Sequence, residues 1–331
     1  MSAPPLRLVS KEPVFRTPAP FDQCHASTLA PLAGDGWLCA WFGGTREGAP
    51  DVAIWGAIRR RGRWSEPFEI ARHPGVPCWN PVLLAMPPSG SDLSFEPHLW
   101  LFYRVGHTIP GWRSYVRESL DGGLSWSEPR PMPDGFLGPI KNKPLVLSDG
   151  SWLAGSSVET AAEWYVRMER SADCGATWTA SRDLRLAGCP KGLIQPALWE
   201  SAPGRVHALM RSRSVGRICR TDSQDGGISW SAPYRTDIPH NNSGIDVALL
   251  KRPGERAAWL ALACNPVEHG RTPLEVWLSP DNGQSWPHRI VLEDQPGEYS
   301  YPAILATAQG CVISYTYRRE RIEFARLAWD G

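Results

Sequence analysis

One eight-residue pattern recurs four times in this chain, as Ser119-Leu-Asp121-Gly-Gly123-Leu-Ser-Trp126, Ser171-Ala-Asp173-Cys-Gly175-Ala-Thr-Trp178, Ser223-Gln-Asp225-Gly-Gly227-Ile-Ser-Trp230 and Ser279-Pro-Asp281-Asn-Gly283-Gln-Ser-Trp286. Each copy of S-x-D-x-G-x-x-W lies between two strand-like runs. It predicts a hairpin in which the Asp accepts backbone N–H groups, the Gly takes a positive φ and the Trp packs inward. A degraded copy, Arg59-Arg-Arg-Gly62-Arg-Trp64, keeps the turn and the Trp without the Asp. The terminal Trp residues 64, 126, 178, 230 and 286 recur at intervals of 52 to 62 residues. A period of that length, filled only by strands and turns, is that of a β-propeller blade.

A second repeat counts the blades. Inner strands are expected to begin at His25, Asn80, Lys143, Gln195, Ile245 and Tyr301, with return strands beginning at Trp37, Leu99, Ser151, Val206, Ala258 and Cys311. Six such units predict an all-β, six-bladed propeller occupying residues 1–331 as one domain. The segment Leu6–Phe15 should pair beside Arg321–Trp329 to close the ring and hide its edges. High Trp, Gly and Pro content (17, 31 and 32 residues) and the lack of any useful helical period fit this reading.

Because each hairpin is antiparallel, the starts of the inner strands and the ends of the return strands meet at one end of the central channel. There the sequence gathers His25, Asn80, Lys141, Lys143, Gln195, Asp246, Tyr299 and Tyr301 from strand starts. Strand ends and following loops add Arg46, Glu47, Asp51, Arg104, Glu159, Arg211, Arg213, Arg271, Arg318 and Arg319. Cations crowded at one concave mouth suit a small anion, which a forked guanidinium binds well. The formal charge of +1 gives no reason to expect a nucleic-acid or membrane partner. Eight cysteines without a C-x-x-C pair predict neither a metal site nor a disulfide framework, and no cofactor is expected. Without an apolar leader or a long apolar run, the expected location is cytoplasmic.

The repeated motif resembles the Asp box of the sialidase (neuraminidase) superfamily. That resemblance implies an exo-acting glycoside hydrolase on a terminal acidic sugar. In the family an arginine triad binds the substrate carboxylate, a Tyr paired with a Glu is the nucleophile, and a loop Asp is the acid/base. Carried onto this sequence, Arg46 and Asp51 follow the first return strand as the family's substrate-contacting Arg and its acid/base do. Arg211 or Arg213 matches the second triad arginine and Arg271 the third. Tyr299 or Tyr301 matches the nucleophile, both expected on one side of their strand. Arg104, Lys141, Lys143, Asp246 and Arg318 complete the expected binding set.

Two positions depart from the family pattern. His25 stands where the first triad arginine is expected, and Gln195 stands where the nucleophile's Glu partner is expected, which leaves Glu159 or Glu298 to supply a carboxylate. Two alternatives therefore stand beside the hydrolase: a uronic-acid lyase using a His25/Tyr301 pair, and a non-catalytic glycan-binding propeller with Trp79 and Trp112 as stacking faces.

Overall fold

Short Val-, Ile-, Leu- and Ala-rich runs broken by Gly, Pro and Asp leave strands as almost the only regular structure available to this chain. In the computed structural model, which describes residues 5–87 and 95–330, the only helical element among those residues is a single 3₁₀ turn, Ile109–Gly111. The strands form six antiparallel sheets arranged as propeller blades.

Blade one runs Gln23–Pro31, Trp37–Gly44 and Ala53–Arg60, with Arg63–Trp64 and Phe68–Ala71 outside; blade two runs Cys78–Met86, His98–Val105, Arg113–Ser119 and Arg130–Pro131. Blade three holds Leu145–Val146, Trp152–Glu159, Trp164–Ser171 and Thr179–Ala180. Blades four and five are Leu193–Ala202, Arg205–Ser212, Arg217–Ser223, Tyr234–Pro239 and Asp246–Lys251, Ala258–Cys264, Leu274–Ser279, His288–Glu293. Blade six takes Tyr299–Thr307, Gly310–Tyr317 and Arg321–Trp329 from the end of the chain and Leu6–Pro13 from its start. The expected closure is therefore seen, with Leu6 opposite Trp329 and Pro13 opposite Glu323.

Inner strands are covered on both faces, so they read as continuous apolar runs rather than alternating ones; Gln23–Pro31 is buried from Cys24 through Ala30. Blade three is the exception, because its inner strand is regular only at Leu145–Val146. Blades pack closely there: a Cβ on Gly155 would lie 2.8 Å from the Pro196 carbonyl oxygen of blade four.

The S-x-D-x-G-x-x-W hairpins join third and fourth strands at the outer side of blades two to five. In the blade-four copy, Asp225 Oδ1 accepts from Ser223 Oγ (2.8 Å) and from the Ser229 N–H (2.9 Å), and Oδ2 accepts from Ser229 Oγ (2.5 Å). Ser223 Oγ accepts from the Gly227 N–H at 2.9 Å, and the Trp230 indole donates to the Gly227 carbonyl at 2.9 Å. Gly227 holds φ at 82°, and a side chain there would strike Leu153 of blade three. The motif is thus a self-satisfied staple that laps onto the preceding blade.

Candidate anion-binding site

In four blades the pairing of the inner strand slips near its start: between His25 and Thr28, Trp79 and Val82, Ile194 and Pro196, and Ser300 and Ala303. A slipped residue bends the strand and re-aims its side chain. Ala26, Gln195 and Tyr301 sit at these slips with φ of 58°, 52° and 54°, a left-handed geometry that residues bearing a Cβ adopt at a cost. The inner-strand residues that line the cleft at this end of the channel, His25, Trp79, Asn80, Ile194, Gln195 and Tyr301, all come from these four places.

The cleft has a volume of about 210 Å³ and is completed by Glu47, Ile109, Trp112, Glu159, Trp164, Arg211, Arg271 and Arg319. A larger hollow of about 700 Å³ beside Trp64 and Leu124 lies on the outer rim and draws on blades one and two only. The channel-end cleft, in contrast, receives side chains from all six blades.

Three guanidinium groups line the cleft with Tyr301, two of them against its side chain. Arg211, buried at the end of its blade-four strand, donates through Nε to Asn242 Oδ1 (2.9 Å) and through Nη1 to Gln195 Oε1 (3.0 Å) and Tyr301 Oη (2.6 Å). Arg271 of blade five donates to Glu298 Oε1 at 2.6 Å and Ser300 Oγ at 3.2 Å, and lies 5.7 Å from the centre of the Tyr301 ring. Arg319 of blade six donates through Nε to both Glu298 oxygens (3.1 and 3.2 Å) and through Nη1 to Glu47 at 2.5 Å. Burial alone would raise the Glu298 carboxyl, but Arg271 and Arg319 hold it below its usual value.

The remaining titratable groups are poised differently. His25 is buried with its ring 4.2 Å from that of Tyr301, and its Nδ1 has no partner among the described residues. Burial, then the charges of Arg319, Arg271, Arg211 and Lys141, keep its pKa well below the ordinary imidazole value, so it is uncharged at neutral pH. Glu159 ends its strand directly opposite Trp164, and burial raises its carboxyl despite the attraction of Arg211 and Arg213. It is a carboxyl able to keep its proton at higher pH than an exposed one.

Of the residues expected at the mouth, His25, Glu47, Asn80, Glu159, Gln195, Arg211, Arg271, Tyr301 and Arg319 line the cleft, as do Trp79 and Trp112, and others do not. Asp51 is not among the residues lining the cleft: its exposed carboxylate accepts from the Thr45 hydroxyl at 2.7 Å and N–H at 2.8 Å, and these bonds lower its pKa. Arg46 is exposed in the same turn, and its neighbour Glu47 faces the cleft instead. Tyr299 is fully buried against Tyr317, because the slip between Ser300 and Ala303 sends the two tyrosines to different surroundings.

The expected cations divide in the same way. Arg104 is buried in the wall of blade two, bonded to the Leu137 and Pro139 carbonyls. Arg213 is exposed and stacks on Trp164 with 4.7 Å to the ring centre. Arg318 is exposed over Tyr317, and Arg319 takes the inward place. Lys143 pairs with Asp246 at 2.9 Å and faces a separate hollow among Leu29, Pro31, Ala85 and Ala306, at the far ends of the inner strands. Lys141 is buried in the channel, donating to the Ile245 carbonyl at 3.0 Å and to that of Pro302; burial, against the attraction of Asp246, lowers its pKa to about 7.

Trp164 is a functional candidate that the sequence did not place at the mouth, whereas Glu47 and Arg319 were gathered there without an assigned role. The hairpin pairing of Glu159 with Trp164 was the one available signal. Nothing in the sequence distinguishes Arg319 from Arg318, since both occupy the same turn with left-handed φ.

The family model described as BNR repeat-like domain matches residues 35–313. No curated protein sequence matches the chain. Among solved structures, a protein of unknown function from Dyadobacter fermentans is similar at 16% identity with a TM-score of 0.79, covering 99% of this chain and 100% of that one. A Hadza microbial sialidase superposes at 15% identity and a TM-score of 0.77, covering 93% of this chain and 66% of its own. A Trypanosoma rangeli sialidase in complex with sialic acid superposes at 13% identity and 0.73, covering 99% and 59%. The chain thus spans about two thirds or less of the length of these two sialidases, and at such identities the likeness is one of fold.

Proposed function

The chain belongs to the BNR repeat-like domain family of the sialidase-like superfamily, and from that membership we propose that it cleaves the glycosidic bond of a terminal sugar acid. One observation carries the reading: Arg211 and Arg271 flank Tyr301, and Arg319, from the next blade, lines the same cleft, which also holds Trp79, Trp112 and Trp164. Paired guanidinium donors in a partly desolvated cleft favour a carboxylate over a neutral group. Arg319 supplies the third cation from blade six where His25 occupies the blade-one position.

In this reading, hydrolysis uses the groups that line the cleft. Protonated Glu159 gives its proton to the leaving oxygen as the bond to the anomeric carbon breaks. Tyr301 attacks that carbon, its phenolic proton passing to uncharged His25. Water then displaces the tyrosine oxygen, which recovers the proton from His25 while Glu159 takes one from the water. Raising the Glu159 pKa suits it to begin as the acid.

A second reading is favoured by Gln195, which leaves Tyr301 without a carboxylate partner and with an arginine N–H on its oxygen. In that reading the C–H beside the sugar carboxylate loses its proton to His25, the leaving oxygen departs with a proton from Tyr301, and a carbon–carbon double bond forms. Arginine neutralisation of the carboxylate makes that C–H more acidic. Mass analysis of products from carboxylated glycosides separates the two: hydrolysis adds one water, whereas elimination adds none and gives an ultraviolet-absorbing product. No turnover of any acidic glycoside would overturn both.

A further inference from the structure

At the opposite end of blade four a second group of polar side chains is linked, with no residue in common with the cleft. The inner strand Leu193–Ala202 leaves the cleft at Gln195 and reaches Ser201 roughly 20 Å further along, at the usual rise of a strand. There Trp199 lies opposite His207 and His207 opposite Asp222 on neighbouring strands. The pairing slips between Glu200 and Ala202, and Ser201 stands exposed at the slip. His207 is buried, with Nε2 at 2.8 Å from Ser201 Oγ and Nδ1 at 2.5 Å from Asp222 Oδ1.

The surrounding hydrogen bonds fix which ring nitrogen carries the proton. An indole N–H only donates, so the Trp199 Nε1 contact at 2.6 Å makes the facing atom of Asn282 its carbonyl oxygen and turns the amide nitrogen to His207 Nε2, 3.1 Å away. Nε2 is then the acceptor, and the proton sits on Nδ1. The other side of the ring agrees, because a carboxylate 2.5 Å from Nδ1 requires a proton between them. Arg220 shares Asp222 through Nε at 2.9 Å and donates to the Asn282 carbonyl at 2.7 Å; its Nη2, 3.2 Å from Nδ1, meets a nitrogen already protonated. The Ser201 hydroxyl, 2.8 Å from Nε2 and 3.5 Å from the Arg205 carbonyl, therefore donates to the imidazole.

We propose that Ser201 is a nucleophile that accepts an acyl group from an ester, with His207 as its base and Asp222 as the residue that holds the base in the required tautomer. Hydroxyl, imidazole and carboxylate are linked in the order that such a nucleophile needs. Ser201 Oγ attacks the ester carbonyl carbon and its proton passes to Nε2. The bond from that carbon to the alcohol oxygen then breaks, the alcohol leaves with the proton from Nε2, and the acyl group stays on Oγ. Asn282 Nδ2 gives one N–H to Nε2 and has a second for the ester carbonyl oxygen. The turn that carries the hydroxyl is tied on both sides: Glu200 accepts from the Gly204 N–H at 2.8 Å, and the Gly204 carbonyl accepts from the Gly226 N–H at 2.9 Å. Ser201, Ala202 and Pro203 are exposed, so an ester reaches the hydroxyl from solvent.

The test is labelling of the full chain with an alkyl fluorophosphonate, in which Oγ displaces fluoride from phosphorus while the hydroxyl proton passes to Nε2 and on to solvent. We expect a single adduct by intact mass, placed on Ser201 by peptide mapping. Ser201→Ala should abolish it, and His207→Gln should slow its formation by about a hundred-fold or more, as loss of a general base does. Asp222→Asn should slow it too, since an amide no longer holds the proton on Nδ1. Unfolding the wild type in urea should also stop the labelling, which keeps the test decisive should the His207 or Asp222 variant fold poorly. No adduct on Ser201 of the wild type overturns the proposal, as does an adduct that forms equally fast in His207→Gln or after unfolding.

Discussion

The S-x-D-x-G-x-x-W hairpins and the channel-end cleft use the same side chains, carboxylates beside N–H donors and tryptophans beside glycine or arginine, to opposite ends. In the hairpin every acceptor on Asp225 is met within seven residues of sequence, so the unit repeats wherever its eight residues do. In the cleft the partners come from different blades, and some polar atoms, such as His25 Nδ1, have none among the described residues. A satisfied carboxylate is pushed toward lower pKa, as Asp225 is by Ser229; a poorly solvated one such as Glu159 is pushed up. Local satisfaction makes a staple, and incomplete satisfaction makes a place for a ligand.

Five substitutions can break or sharpen that contrast. The largest effect is expected from Glu159→Gln, which should lower kcat by about a hundred-fold or more, as loss of a general acid does. Since the wild-type carboxyl is raised, activity should fall as pH rises through that raised value, and the variant should lack this limb of the kcat/KM profile; an unchanged limb would assign it elsewhere. Next, Arg319→Ala should weaken binding of a sugar acid by about 2 kcal/mol or more, at least some thirty-fold, as removal of one partner from a charge-assisted pair does. Arg318→Ala should change it by less than about two-fold, and equal losses would contradict the inward and outward assignment of the two arginines.

Asp225→Ala tests the other side of the comparison. Loss of this capping acceptor should cost about 1 kcal/mol of stability, read as a denaturant midpoint, with KM unchanged. Because the Asp225 pKa is lowered in the fold, its contribution is present above the unfolded carboxylate value and is lost as pH falls through the folded one. The difference between variant and wild type should therefore shrink in acid. The smallest effect is expected from Asp51→Ala, whose carboxylate only caps the Thr45 turn: activity should stay within about two-fold and stability should drop by about 0.5 kcal/mol. A large loss of turnover would return Asp51 to the chemistry.

The fold was legible because its determinants are local and repeated. S-x-D-x-G-x-x-W and the paired apolar runs specify hairpins residue by residue, and six of them with a complementary Leu6–Pro13 strand leave one way to close. The cleft was legible only to the nearest residue or two. His25, Gln195, Arg211, Arg271 and Tyr301 stand at strand ends as expected, but aim depends on slips and left-handed turns that no spacing displays. Arg318 gave way to Arg319, Arg46 to Glu47 and Tyr299 to Tyr301, because a slip in strand or turn sends a side chain to a different face. Arg104 and Lys141 misled for another reason: long basic side chains that reach backbone carbonyls end inside the wall or channel rather than at its mouth.

Blade six has a consequence for how the molecule assembles. Its outer strand, Leu6–Pro13, is separated from its partner Arg321–Trp329 by almost all the rest of the chain. Contacts so distant in sequence form slowly, so the other blades can be complete while the ring still stands open. During that interval Arg321–Trp329 is an unpaired edge, and the Leu6–Pro13 strand of a second molecule matches it as well as its own does. Exchange of this strand between copies is the natural misassembly of the ring. It would yield a dimer with two intact clefts, favoured by refolding at high protein concentration.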